Sequence, residues 1–381
     1  MDWTNWVEWV IKGFVLCLIL LTGFAYLTLY ERRALARMQV RVGPNRAGPQ
    51  GLLQPIADAV KLIFKEELTP GRVYKVVFVL APVLTVVPSL ILAAVIPLGT
   101  SFNLFGREIL LHVSNINVGV LYIMSIASIA VYGIVLAGWS SNNKYAMLGG
   151  IRSAAQMISY ELSLGLCFVI AIVMGNSMNL IDIVNAQRDV WFAVVQPVGA
   201  LIFLIVTLAE VNRAPFDMPE AEQELTAGYH AEYSGMKFAL FFMAEYQKMI
   251  VICMIAATLF FGGYREFWFL KDTFLSVDRF WLLGPIYLLL KVIVLLFFMI
   301  WIRATWPRIR YDRLMAFGWK VLLPLSLVTV FITATGYLLA ELYKDLSLVF
   351  MISIPVLSII SAIVAVALIY RDLRRKSHGR F

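Results

Sequence analysis

Carboxylates crowd residues 210–245 of this chain, where Glu210, Asp217, Glu220, Glu222, Glu224, Glu232 and Glu245 fall between two long apolar runs, together with Arg213, Tyr229, His230 and Tyr233. Acids are costly next to hydrocarbon, so their presence there points to a use. Glu220 and Glu224 are one helical turn apart, and like charges at that spacing raise each other's proton affinity. Carboxyls tuned in this way exchange protons near neutral pH. Arg213 and His230 supply counter-charges, and Tyr229 and Tyr233 supply hydroxyls that pass hydrogen bonds to water or to a ligand. A hydrated loop also uses acids to stay soluble. The flanking apolar runs and the interleaved aromatics favour proton chemistry here.

Charge also lies inside the apolar runs themselves: Glu161, Glu245, Lys248, Lys291 and Arg303, with Glu31 at the end of the first run. Each costs at least a few kcal/mol at the centre of a bilayer, so such groups face a protein interior, pair, or line water. An ion pair between Glu245 and Lys248 is one reading. Few cations accompany the acids on these runs, however, and a row of buried acids reads more naturally as a proton path.

The segment from Glu31 to Glu67 is too patterned for a simple loop. Arg41-Val-Gly-Pro-Asn-Arg-Ala-Gly-Pro-Gln-Gly51 should turn sharply without regular hydrogen bonding. After it Leu53, Ile56, Val60, Ile63 and Phe64 recur at helical spacing, with Gln54, Asp58, Lys61 and Lys65 on the opposite face. This pattern predicts a short amphipathic helix lying at the membrane surface. It is either a plain interfacial anchor or, with the first run, the wall of a chamber that a lipid-soluble molecule with a polar head could enter from the bilayer.

These residues must be positioned by a very apolar chain. Of 381 residues, 61% are hydrophobic and 15% charged, which excludes an ordinary water-soluble domain. A helical span needs roughly 20 apolar residues to cross roughly 30 Å of hydrocarbon. Nine runs come close, at about 10–30, 76–98, 117–138, 154–174, 191–210, 238–262, 284–306, 321–340 and 348–370. The fold class expected is an all-α polytopic membrane protein of about nine spans with an amphipathic surface helix after the first. It is read as a single membrane domain, residues 1–381, with a cytoplasmic turn and surface helix at 31–75, an acidic cytoplasmic loop at 211–237 and an extra C-terminal span at 348–370.

The first run has no basic segment before it and no small-residue cleavage site after it, so it should remain as a helix. Lys and Arg crowd alternate loops, from Arg32 to Lys75, at Lys144 and Arg152, at Arg213 and Lys237, from Arg308 to Lys320 and from Arg371 to Arg380. Basic loops stay on the cytoplasmic side, which places the N-terminus outside and the C-terminus inside. The same bias explains the net charge of +8 and leaves a nucleic-acid partner without support. Cys17, Cys167 and Cys253 all lie within apolar runs and form no CxxC pair, so neither metal nor iron–sulfur ligation is expected on this chain.

From about residue 24 to 340 the chain resembles the H subunit of bacterial respiratory complex I, the NADH:quinone oxidoreductase, whose mitochondrial counterpart is its subunit 1. The resemblance rests on Glu31-Arg-Arg, the Arg41 to Pro49 turn, Gly51-Leu-Leu-Gln-Pro-Ile-Ala-Asp-Ala-Val-Lys-Leu, Phe64-Lys-Glu-Glu, Ser159-Tyr-Glu-Leu, Asn212-Arg-Ala-Pro-Phe-Asp-Met-Pro-Glu, Glu222-Gln-Glu-Leu, Gly228-Tyr-His-Ala-Glu-Tyr-Ser-Gly and Trp301-Ile-Arg-Ala-Thr-Trp-Pro-Arg-Ile-Arg-Tyr-Asp. It implies a protein that joins the membrane arm to the hydrophilic arm and frames the quinone chamber. Carried over by position, Arg32, Arg33, Arg41, Gln54, Asp58, Lys61, Lys65, Phe238 and Arg303 belong to the chamber. Glu31, Glu161, Glu210, Arg213, Asp217, Glu220, Glu222, Glu224, Tyr229, His230, Glu232 and Glu245 belong to the proton and coupling route.

Quinone is the implied substrate, and FMN and iron–sulfur clusters are implied on partner subunits, among them the hydrophilic-arm subunits at the quinone site and small membrane subunits. The implied location is the bacterial inner membrane, in contact with its lipid. Two departures stand out: many relatives have eight spans where this chain reads as nine, and Met218 and Ala221 replace a common Leu and Gly. A related membrane-bound hydrogenase-type or ferredoxin-fed complex would share the fold without needing quinone. A stand-alone ion transporter would show internal repeats, and none is evident.

Overall fold

Within hydrocarbon a chain can satisfy its peptide groups only by closing them on themselves, and apolar runs of this length do so as helices. The computed structural model describes residues 3–104, 107–217, 227–267, 270–271, 276–277 and 279–378. Helix α1, Trp3–Met38, runs well past its expected span and carries Glu31, Arg32 and Arg33 on its final turns. The Gly/Pro turn follows, and α2, Gln54–Phe64, starts with a proline in its first turn, where the missing N–H costs nothing. None of the residues of α2 is buried, as a surface helix requires.

Helix α3 covers Lys75–Leu92 and a short antiparallel hairpin follows, β1 at Ser101–Leu104 and β2 at Arg107–Leu110. Next come α4, Gly119–Ser140, and α5, Lys144–Gly175, the latter capped by the Asn143 side chain on the Tyr145 N–H and ended by Asn176 in the left-handed conformation. The short helices α6, Leu180–Ala186, and α7, Phe192–Val195, lead to α8, Pro197–Glu210. Beyond lie α9, Gly235–Phe260, and α10, Leu283–Thr305. Helix α11, Tyr311–Phe317, passes through a π-helical turn at Gly318–Leu322 into α12, Leu323–Leu342, and α13, Ser347–His378, ends the described chain.

Among the described residues eight helices are long and apolar enough to cross a membrane, and α8 is a shorter apolar helix. The run at 191–210, expected as one span, is divided because Gln196 leaves the helical region just before Pro197. The 14 residues of α8 rise only about 21 Å. Its last residue, Glu210, is buried inside the protein.

Packing between the spans uses small residues, as membrane helices do when nothing but close contact holds them together. A Cβ on Gly133 of α4 would lie 2.5 Å from the Thr85 methyl group of α3, and one on Gly138 would lie 2.6 Å from the Ala146 carbonyl of α5. The core is aromatic at its centre: Phe168 meets Phe203 edge-on with ring centres 5.8 Å apart, and Phe203 tilts against Phe260 at 5.2 Å. Helix α13 lies against α12, α8 and α7 and is otherwise almost wholly exposed.

Candidate functional site

The amphipathic pattern of α2 sets its polar face against the end of α1, and the start of α9 closes the third side. Between them lies a groove of about 340 Å³, walled by Phe24 and Thr28 of α1, Pro55 and Leu62 of α2, and Phe238, Phe242 and Met243 of α9. Its polar end is an ion cluster. Arg32 donates to the Asp58 carboxylate at 2.6 Å, Lys61 reaches the other oxygen at 3.2 Å, and Gln54 donates to that same oxygen at 3.4 Å. Partial burial of Asp58 works to raise its pKa, but the hydrogen bonds and charges of Arg32 and Lys61 outweigh it and hold the carboxyl below its ordinary value.

Of the other residues expected at the chamber, Phe238 lines the groove and packs face to face on Phe242 at 6.2 Å. Arg33 lies against the turn, where a Cβ on Gly43 would stand 3.3 Å from it. Arg41 is exposed and bonds to Gln39 at 2.8 Å, and Lys65 is exposed beyond the end of α2. Neither lines the groove. Arg303 also lies elsewhere, in a second cluster.

That second cluster sits behind the groove. Glu31, on the inward side of α1, is 3% exposed and accepts from both Arg303 of α10 and Arg213. Arg213 lies 3.3 Å from Glu31 and 2.5 Å from Glu245 of α9, and its guanidinium stacks over the Tyr246 ring at 4.1 Å. Two carboxylates and two guanidiniums thus meet in one formally neutral group, buried except at Arg303. The second Glu31 oxygen has no hydrogen-bond partner among the described residues.

Deeper in, two small cavities follow one another. The first, about 50 Å³, is lined by Glu245, Tyr229, Asn212, Glu210 and Lys248, and the second, about 30 Å³, by Glu210, Lys248 and Glu161. Each is large enough for water, which needs roughly 10–15 Å³. Lys248 bonds Glu210 at 2.7 Å, and Ser128 of α4 donates to Glu161 of α5. Among the described residues Glu210 thus has a cationic partner on a span, Glu161 a hydroxyl, and Glu245 a cation from the segment after α8. Lys248 pairs with Glu210 on α8 instead of with Glu245 on its own helix.

The remaining expected residues frame this path. Tyr229 and His230 meet edge-on at 4.9 Å, and His230 meets Phe238 at 5.4 Å, so the loop touches both the cavity and the groove. Glu232 accepts from Asn143 at 2.7 Å at the start of α5. Asp217 accepts from Arg308 through its backbone carbonyl. Glu220, Glu222 and Glu224 lie outside the described residues. Sequence reasoning named Lys248 but not its partner Glu210, and missed Ser128 and the buried Ser89–Gln247 bond of 2.9 Å, because each partnership joins two different helices. Lys291, a further cation within a span, donates to the Gly263 and Arg265 carbonyls at 2.9 and 2.7 Å and so holds the segment that follows α9.

Fold and site together define a polytopic helical membrane protein with a groove against its first span and charge buried in sequence through its interior. Residues 11–334 match the NADH dehydrogenase family. Over 343 residues the chain is 48% identical to the H subunit of the NADH-quinone oxidoreductase of Thermomicrobium roseum, a match that covers 87% of this chain and 97% of the relative. It is 50% identical over 315 residues to the first H subunit of the Geobacter metallireducens enzyme, covering 83% and 92%. With the second H subunit of the Syntrophobacter fumaroxidans enzyme the identity is 47% over 340 residues, covering 89% and 98%. The chain belongs to this family.

Proposed function

We propose that this chain is the membrane-arm subunit of an NADH:quinone oxidoreductase that forms part of the quinone chamber and couples quinone reduction to proton translocation. One observation carries the reading: the groove between α1, α2 and α9 is apolar along its length and ends in the Arg32–Asp58–Lys61 cluster, directly in front of a buried chain of carboxylates. An isoprenoid tail suits the apolar length, and a polar ring suits the charged end. The redox groups, FMN and iron–sulfur clusters, sit on partner subunits of the complex. The chain crosses a bacterial inner membrane with its N-terminus outside, so the groove opens near the cytoplasmic face where the basic loops gather.

The residues of this chain position the quinone and respond to its charge. Reduction and proton uptake at the ring alter the field at the end of α1. Glu31, Arg213 and Glu245 lie next in line, and the water-sized cavities lead on past Glu210 to Glu161. A low-dielectric interior transmits such a change strongly, since charges about 4 Å apart interact several times more strongly there than in water.

The test uses membranes carrying the whole complex with Phe238→Ala or Arg32→Ala. Electron transfer from NADH to a short-chain quinone should fall, with a raised KM, while transfer to an artificial acceptor upstream of quinone persists. Equal loss of both rates, or neither, would remove the groove from the quinone site.

A further inference from the structure

Two cavities share one boundary. Glu245 lines only the first and Glu161 only the second, whereas Glu210 and Lys248 line both. The Lys248 side chain is 14% exposed, and its ammonium bonds Glu210 at 2.7 Å at this boundary. The other Glu210 oxygen is buried without a hydrogen-bond partner among the described residues, although it belongs to a group bordering space that can hold water. Glu210 is also the last residue of α8, where the negative end of the helix dipole opposes a carboxylate, so the carboxylate depends on its cation.

We propose that Lys248 is a gate on the acidic route: its ammonium closes Glu210 between the two cavities and must swing away for a proton to cross. The inference rests on the coupling role given above and adds to it a residue with a defined movement. A proton reaching Glu210 from the Glu245 side converts its carboxylate to a carboxylic acid and removes the charge that held Lys248. The ammonium then turns toward the Glu245 carboxylate, three residues away on the same helix face, and shares it with Arg213. When Glu210 gives its proton onward toward Glu161 and is charged again, Lys248 returns and closes the way back. No atom of the lysine needs to be exchanged. Lysine suits this part because it is a point charge on a flexible stem, whereas arginine binds a carboxylate through two fixed contacts.

The test compares Lys248→Met, Lys248→Gln and Lys248→Arg in vesicles carrying the whole complex, with assembly scored by electron transfer to an acceptor upstream of quinone. Protons moved per electron reaching quinone are then measured. The neutral variants should lower that ratio at least about two-fold, because nothing closes the route behind a proton, as expected when a coupling contact is removed. Lys248→Arg should restore the ratio but turn over more slowly. A ratio unchanged in an assembled neutral variant overturns the gate. If neither neutral variant assembles, turnover of Lys248→Arg equal to that of the parent overturns it instead. Glu245→Gln separates this failure from failure of the coupling role: an unchanged ratio there would remove the acidic route itself, whereas a lowered ratio beside unchanged Lys248 variants removes only the gate.

Discussion

Glu31 and Arg32 are consecutive on α1 and face different compartments of the protein. Arg32 reaches Asp58 at the groove, while Glu31, turned about 100° around the helix, is buried against Arg213 and Arg303. The groove and the buried charge cluster are thus two sides of one helical turn. A change of charge at the first is felt at the second without any long-range movement of the backbone.

Arg213 is the shared partner of Glu31 and Glu245. Arg213→Met would leave two buried carboxylates with too little positive charge, and removing one partner of a buried pair typically costs about 3–5 kcal/mol. Thermal unfolding of the purified complex should move down by several degrees. Arg303→Met, at a more exposed position, should move it less; the reverse order would contradict this ranking.

The Asp58 carboxyl is held below its ordinary value of 3.8 by Arg32 and Lys61 against the opposing effect of burial. A carboxyl with a lowered folded-state pKa contributes stability that is present above its unfolded value and is lost as the pH falls through the folded one. The cluster therefore stays ionised through neutral pH and comes apart only in acid below that ordinary value. The KM for quinone, followed from about pH 5 to 9, should show no step belonging to Asp58, and Asp58→Asn should raise it evenly across the range. A step within that range that disappears in Asp58→Asn would show the carboxyl titrating where the cluster says it cannot.

Gly138 sets how closely α4 approaches α5, since a Cβ there would stand 2.6 Å from the Ala146 carbonyl. Gly138→Val should cost about 1–3 kcal/mol by overpacking and reduce the amount of assembled protein in membranes. Gly13→Ala, with nothing within 4 Å of the added carbon, should leave that amount unaltered. Equal yields from both would mean that the two helices can part at little cost.

Most of the architecture was legible because the apolar runs of a membrane chain announce their own helices. The surface helix α2 was readable from the alternation of Ile56, Val60 and Ile63 with Asp58 and Lys61, and its polar face does meet Arg32. Even the division of the fifth run had a visible signal in Pro197. Pairing was not legible. Glu245 and Lys248 stand three apart and invite a bond with each other, yet each finds its partner from another part of the chain, Arg213 and Glu210. Periodicity tells which side of a helix a residue occupies and not which helix will face it. Arg213 was equally hard to place, because it lies in the segment after α8 and is nonetheless buried against two carboxylates.

Helix α13 follows the residues matched by the family and, among the described residues, rests mainly on α12, α8 and α7. It forms an outer layer over those helices. Any neighbour approaching from that side meets α13 first, and the acidic interior is kept about one helix diameter, some 10 Å, further from foreign charge than the spans alone would hold it.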